Sequence, residues 1–178
     1  MGPIAYSLCQ KPVLGLAMYL ASACAFPPLF DGEALPLQQA DARLVKEFKA
    51  PVGKSYFLAL NFHDAEASGM RTDDIVGSHP YQDCGHDYAE IPPARRADMG
   101  PPIPLHIVVR EKSTGKVWID QVSNVQCSVS WGAQTVTRTA ARIALPAGLY
   151  VMELRNLQSQ PWVRRVRTTV SLGPGHMK

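Results

Sequence analysis

Residues 55–62 (SYFLALNF) place Tyr56, Leu58, Leu60 and Phe62 at every second position, with smaller or polar residues between. A period of two describes one face of a half-buried strand and is incompatible with the 3.6-residue period of a helix. Further segments read as strands at 43–50 (RLVKEFKA), 104–111, 116–122, 134–145 (alternating less neatly), 148–156 and 162–172, and most are separated by turn residues. Pro51-Val52-Gly53 closes the first of them, Lys112-Ser113-Thr114-Gly115 forms a hairpin loop, and Pro146-Ala147 precedes 148–156. Together with the absence of a convincing long helix, this count of about seven short strands predicts an all-β, two-layer β-sandwich. The expectation leaves its topology open between immunoglobulin-like and jelly-roll. Leu145-Pro146-Ala147-Gly148-Leu149-Tyr150 resembles a tyrosine corner, in which a Tyr near a strand start bonds back across the turn. A plain turn followed by an aromatic strand residue has the same letters.

One stretch resists this scheme. Residues 63–103 hold Gly69, Gly77, Gly85 and Gly100 among several prolines, too long for a structureless loop in a compact domain. They are expected to be a long insertion. It either hides short elements, such as a strand around Ile75-Val76 and a helix near Ala94–Met99, or carries function as surface insertions on rigid scaffolds often do.

The N-terminus obeys other rules. Between Met1 and Cys24 the one charged side chain is Lys11, and PVLGLAMYLASAC follows it. An apolar run of about a dozen residues is too short to span a bilayer, which takes about 20, and has the length of a secretory h-region. Ala21-Ser22-Ala23-Cys24 reads as a lipobox, in which the chain is cut before a cysteine that receives lipid. The fit is off-pattern: Leu20 stands one place further back than the usual leucine. Cleavage by an ordinary signal peptidase at Ala21-x-Ala23 or Ala23-x-Ala25 would instead release a soluble secreted protein. The expected layout is a signal peptide over 1–23, a lipid-anchored tether over 24–40 and the sandwich over 41–178.

Removal of residues 1–23 takes away Cys9, and lipid occupies Cys24. Cys84 and Cys127 then form an even pair, a disulfide candidate in an oxidising compartment. Such a bridge is worth about 3–4 kcal/mol in the chain-entropy model.

Chemistry is sparse. His79, Cys84, His86 and Asp87 crowd one segment of the insertion, so His79, His86 and Asp87 are weak candidates for a metal site. Their spacing matches no structural zinc pattern, and a solvated polar loop is the plainer reading. Gly53-Lys54-Ser55 mimics the end of a phosphate loop, but Phe48 occupies the required glycine position. His63-Asp64 would supply half of a triad, with no serine standing out as its nucleophile. His106, inside an apolar strand, is expected to be a satisfied or solvent-facing histidine. Trp118, Trp131 and Trp162 fit packing better than a sugar platform. A net charge of +3, without clustering beyond Arg164, Arg165 and Arg167, argues against a nucleic-acid partner. That arginine run is expected to be a solvated strand face.

The run from PLHIVVREKSTGKVWIDQVSN to RIALPAGLYVMELRNLQ resembles a family of small proteobacterial lipoproteins catalogued as a domain of unknown function. The resemblance extends over about residues 43–172. It implies an all-β envelope protein with a lipobox at Cys24, and brings no activity, cofactor or catalytic residue. Ala25 after the lipid-bearing cysteine implies the outer membrane facing the periplasm. The functional expectation is a non-enzymatic protein-binding or structural module without a cofactor, for instance an immunity protein. A carbohydrate-binding or hydrolytic envelope protein is the alternative.

Overall fold

The computed structural model describes residues 27–64, 76, 90–96, 100–125, 128–131 and 135–174. Within them lie nine strands: β1 (Phe30–Ala34), β2 (Arg43–Ala50), β3 (Lys54–Asp64), β4 (Ile103–Glu111), β5 (Val117–Val125), β6 (Ser128–Trp131), β7 (Thr135–Leu145), β8 (Gly148–Asn156) and β9 (Val166–Gly173). A one-turn helix, α1 (Pro93–Arg96), precedes β4, and a 3₁₀ segment (Pro161–Arg165) precedes β9. Among the described residues no helix is long and apolar enough to cross a membrane.

The strands form two antiparallel sheets, a five-stranded one ordered β1-β9-β3-β7-β6 and a four-stranded one ordered β2-β8-β4-β5. The pairings are nested: β1 with β9, β2 with β8, β3 with β7, β4 with β5. Such nesting is a long hairpin rolled into two layers, the jelly-roll alternative, with β6 added beside β7. An immunoglobulin domain pairs its strands differently.

The alternation seen in the sequence fills the space between the sheets. Tyr56, Leu58, Leu60 and Phe62 of β3 point inward opposite Ile103, Leu105, Ile107 and Val109 of β4, and all are at most 1% exposed. Tyr150, Met152 and Leu154 of β8 and Val170 and Leu172 of β9 complete the centre. Burying one such aliphatic side chain stabilises the fold by about 1.5–3 kcal/mol. The β4–β5 hairpin turns through Gly115, whose φ of +71° lies where a Cβ would be strained.

Several elements differ from expectation. The expected tether over 24–40 contains β1, and Leu35 and Leu37 within it are fully buried. The sandwich therefore begins before residue 41; FDGEA hides its strand by lacking alternation and by carrying Gly32 at a φ of +74°. The expected strand over 162–172 starts only at Val166. Pro161 has a preset φ and no N–H, which suits the first turn of a helix. Arg164 is therefore exposed on the 3₁₀ segment rather than on a strand, while Arg167 is exposed on β9 as foreseen. In the 63–103 region a helix does occur close to its expected place, at Pro93–Arg96, and Val76 is buried in a helical rather than extended conformation.

Candidate functional site: an open sheet edge

The four-stranded sheet ends in two very different strands. Four of the eight residues of β2 are charged: Arg43, Lys46, Glu47 and Lys49. Three of them are tied down, Arg43 to Glu153 at 2.7 Å, Glu47 to Lys112 at 2.5 Å, and Lys46 to Glu33 on the neighbouring β1. Beneath them Phe48 packs on Phe30 (ring centroids 5.9 Å) and on Tyr150 (5.7 Å). Charge, and lysine in particular, is the usual protection of an edge against adventitious pairing.

At the other end β5 has less of this, its protections being one ion pair and a bulge at Trp118. Its sequence, VWIDQVSNV, carries one formal charge, Asp120. Among the described residues it pairs with β4 alone. Val117 is 45% and Val122 59% exposed, and Asp120, Gln121 and Asn124 are exposed as well. Among the described residues no second strand pairs with it, though the Ser123 hydroxyl donates to the Ala140 carbonyl of β7 at 2.5 Å, and a strand paired on one side is a template for an extended segment. Asp120 is met by His106 of β4 at 2.7 Å, so His106 is the solvent-facing histidine expected, in a pair on the sheet surface.

The tryptophans are already engaged. Lys116 Nζ lies 4.1 Å above the Trp118 ring, and Trp162 stacks on Phe62 with centroids 6.4 Å apart while its indole N–H donates to Gln160 at 2.7 Å. Both pack against the core. The Trp131 side chain lies outside the described residues.

His63 sits on the outer face of β3. Its Nε2 is 3.0 Å from the Thr169 hydroxyl and its Nδ1 is 3.3 Å from that of Thr135. One register step away Asn61 repeats the arrangement, donating to Ser171 at 3.0 Å and accepting from Thr137 at 2.9 Å. These rungs run across β9, β3 and β7, and every member has its partner on a neighbouring strand. Partial burial, followed by the Arg167 charge, lowers the His63 pKa, and Asp31 partly opposes this. Cross-strand stabilisation accounts for the histidine that the sequence offered as half of a triad.

The polar residue that the sequence did not single out is Arg138. It points inward from β7 and is fully buried, its guanidinium 5.7 Å from the Phe62 centroid and 5.6 Å from that of Trp162. It donates to the carbonyls of Pro101 (2.9 Å), Val125 (3.2 Å) and Val76. Val125 ends β5 and Pro101 lies just before β4, so one side chain of the five-stranded sheet fixes the end of the opposite hairpin. Gly100 makes room for it: an added Cβ would collide with the Val76 carbonyl and with Arg138. Its place at every second position from Val136 was the available signal, masked by the rarity of buried arginine.

Cys24, Cys84 and Cys127, and the weak metal candidates His79, His86 and Asp87, all lie outside the described residues. Among the described residues no three His, Cys, Asp or Glu side chains converge as a metal site would require.

No curated protein matches the chain. Among solved structures, a crystal structure of a protein from Sulfurospirillum deleyianum is similar in fold, with a TM-score of 0.62 at 21% identity over 82% of this chain and 96% of that one. A family model matches residues 28–174, reaching back to the start of β1 and so agreeing with the earlier domain boundary. The unknown-function family expected from the hairpin and corner motifs is thus the one found, and the chain belongs to the family described as Domain of unknown function (DUF5625).

Proposed function

We propose that this chain is an exported envelope lipoprotein, anchored through lipid on Cys24 in the outer membrane, whose jelly roll binds a protein partner and performs no catalysis. The observation that carries the reading is the asymmetry of the four-stranded sheet, with β2 charged and tied down and β5 nearly uncharged and, among the described residues, paired with β4 alone. Natural sandwiches rarely leave a long β-rich edge bare unless something pairs with it. A small tethered blocker that neutralises a toxin in the periplasm is one concrete form, because tethering raises local concentration where the toxin arrives.

The test is capture from membrane extracts by the full chain, compared with a variant bearing Val117→Lys and Val122→Lys. Both positions are exposed, so stability should change by no more than about 0.5 kcal/mol each. One specific protein recovered by the native chain and lost with the variant is the expected result. Recovery unaffected by the two lysines would overturn the assignment of the edge. Anchoring is tested separately: Cys24→Ala should abolish incorporation of labelled palmitate, and retention of label would remove the lipid from the account.

A further inference from the structure

A lipid on Cys24 limits where the sandwich can sit, because little chain separates the two. We propose that one end of the sandwich, formed by the β2–β3 and β7–β8 arches with the β4–β5 turn, rests on the bilayer and binds its anionic phospholipid headgroups. This rests on the reading of Cys24 as the anchor and adds the protein surface that meets the membrane.

From Pro28 onward the chain is fixed to the fold: the Leu29 N–H donates to the Leu172 carbonyl at 2.7 Å, and Pro28 lies against Gly173. Cys24 stands four positions before Pro28, a reach of at most about 14 Å in a fully extended chain. The headgroup layer alone takes up about 5–7 Å. Direction agrees with this short reach. Strand β1 runs antiparallel to β9, whose last residue, Gly173, pairs with Phe57 near the start of β3. Traced back from Phe30 to Pro28, the chain therefore heads toward the arches and not toward the far end of the sheets. Lys54 opens β3 three positions before Phe57, about 10 Å of strand. A lipid on Cys24 thus holds the arches against the headgroups.

The side chains at this end suit such a surface. Val52 of the first arch and Leu149 at the start of β8 are large, apolar and exposed. Around them stand Lys49, Lys54, Arg110, Lys112, Lys116 and Arg142, with Glu47 and Glu111 as the acidic residues. The register gathers them: Lys49 lies opposite Leu149, Lys54 opposite Leu145 and Arg142 opposite Phe57, and the Lys112 N–H donates to the Leu149 carbonyl at 2.9 Å. Glu47 is held by Lys112, and Glu111 accepts from the Thr114 hydroxyl at 2.6 Å. The whole chain carries only +3, so its positive charge is concentrated here. Basic residues close to a leaflet are drawn to anionic lipid, and their long stems let apolar tips settle between headgroups.

The full chain, purified as the cell processes it, is placed in vesicles of phosphatidylethanolamine with or without phosphatidylglycerol. A photo-reactive residue at Val52 or Leu149 should form phospholipid adducts, and one at Val122 should form none. Phosphatidylglycerol should raise the yield at both positions several-fold, and high salt should lower it. Lys49→Glu with Arg142→Glu should cut the yield at Val52 several-fold at a native melting temperature, since both side chains are exposed. Lys49→Arg with Arg142→Lys should preserve it. A palmitate-bearing chain that gives no lipid adduct at either position, or equal yields with and without phosphatidylglycerol, overturns the proposal and leaves the anchor in place. Protein adducts in place of lipid adducts at both positions in intact cells would also overturn it. A chain without palmitate that still gives charge-dependent lipid adducts would remove the anchor and leave this surface standing.

Discussion

The two flanks of this sandwich are closed by different chemistry. On one flank two arches cross between the sheets side by side: β2 into β3 through Pro51-Val52-Gly53, and β7 into β8 through Pro146-Ala147. Each ends in a tyrosine that donates back over four residues, Tyr56 to the Val52 carbonyl at 2.7 Å and Tyr150 to the Pro146 carbonyl at 3.0 Å. Burial pushes both phenols above their usual pKa, with Glu111 and Tyr56 adding to the effect at Tyr150, so both hydroxyls remain donors. Among the described residues the other flank shows no such pair of tyrosine-closed arches. There one buried arginine gathers carbonyls from segments up to 62 positions away. A flank made of short-range bonds spreads its stability over several weak links. A flank made by a single cation concentrates it.

That contrast sets the order of the expected effects. Arg138→Met keeps the apolar stem but strands buried carbonyl groups and ends the contact with Phe62 and Trp162, so unfolding free energy should fall by about 3–5 kcal/mol. Denaturant titration measures it, and a loss no larger than at either tyrosine would erase the distinction between the flanks. Tyr150→Phe and Tyr56→Phe each remove one part-buried hydrogen bond to an exposed turn, and each should cost about 1 kcal/mol. Because the arches touch, with Gly53 packed near Pro146, the double variant should depart from additivity.

The smallest effect concerns the outer face. A histidine whose pKa is lowered on folding takes up its proton more readily when unfolded, so stability falls as pH drops below about 6.5. The loss levels off once pH passes below the folded-state value. His63→Gln should flatten this part of the stability profile while leaving neutral-pH stability nearly unchanged. A slope that survives the substitution would place the titrating group elsewhere.

The same division explains what could be read from the letters. The arches were legible because their signals are local: proline and glycine mark each turn, and a tyrosine follows at fixed distance. Strands β2 and β8, bounded by such turns, fall at the expected limits of 43–50 and 148–156. The tyrosine corner itself was legible, though it serves a jelly roll, because an i to i−4 bond says nothing about which strands pair later. The alternation in WVRRVRTT suggested a single strand, and Pro161 together with the burial of Val163 shows why its beginning coils instead. Arg138 was illegible as a structural centre, since its acceptors are backbone atoms contributed by tertiary packing. The end position of β5 in its sheet was equally hidden. Its sequence reads as an ordinary strand, and only the sheet order reveals that β4 is its one partner among the described residues.

Val45 on β2 and Val122 on β5 offer a matched pair for the central claim, one on each end strand of the same sheet, at 54% and 59% exposure. A photo-reactive residue at either position in the full chain, activated in living cells, reports what lies against that edge. Recognition at β5 predicts a discrete protein adduct from position 122 and none from position 45. Equal labelling at both, or no adduct at 122, would contradict it.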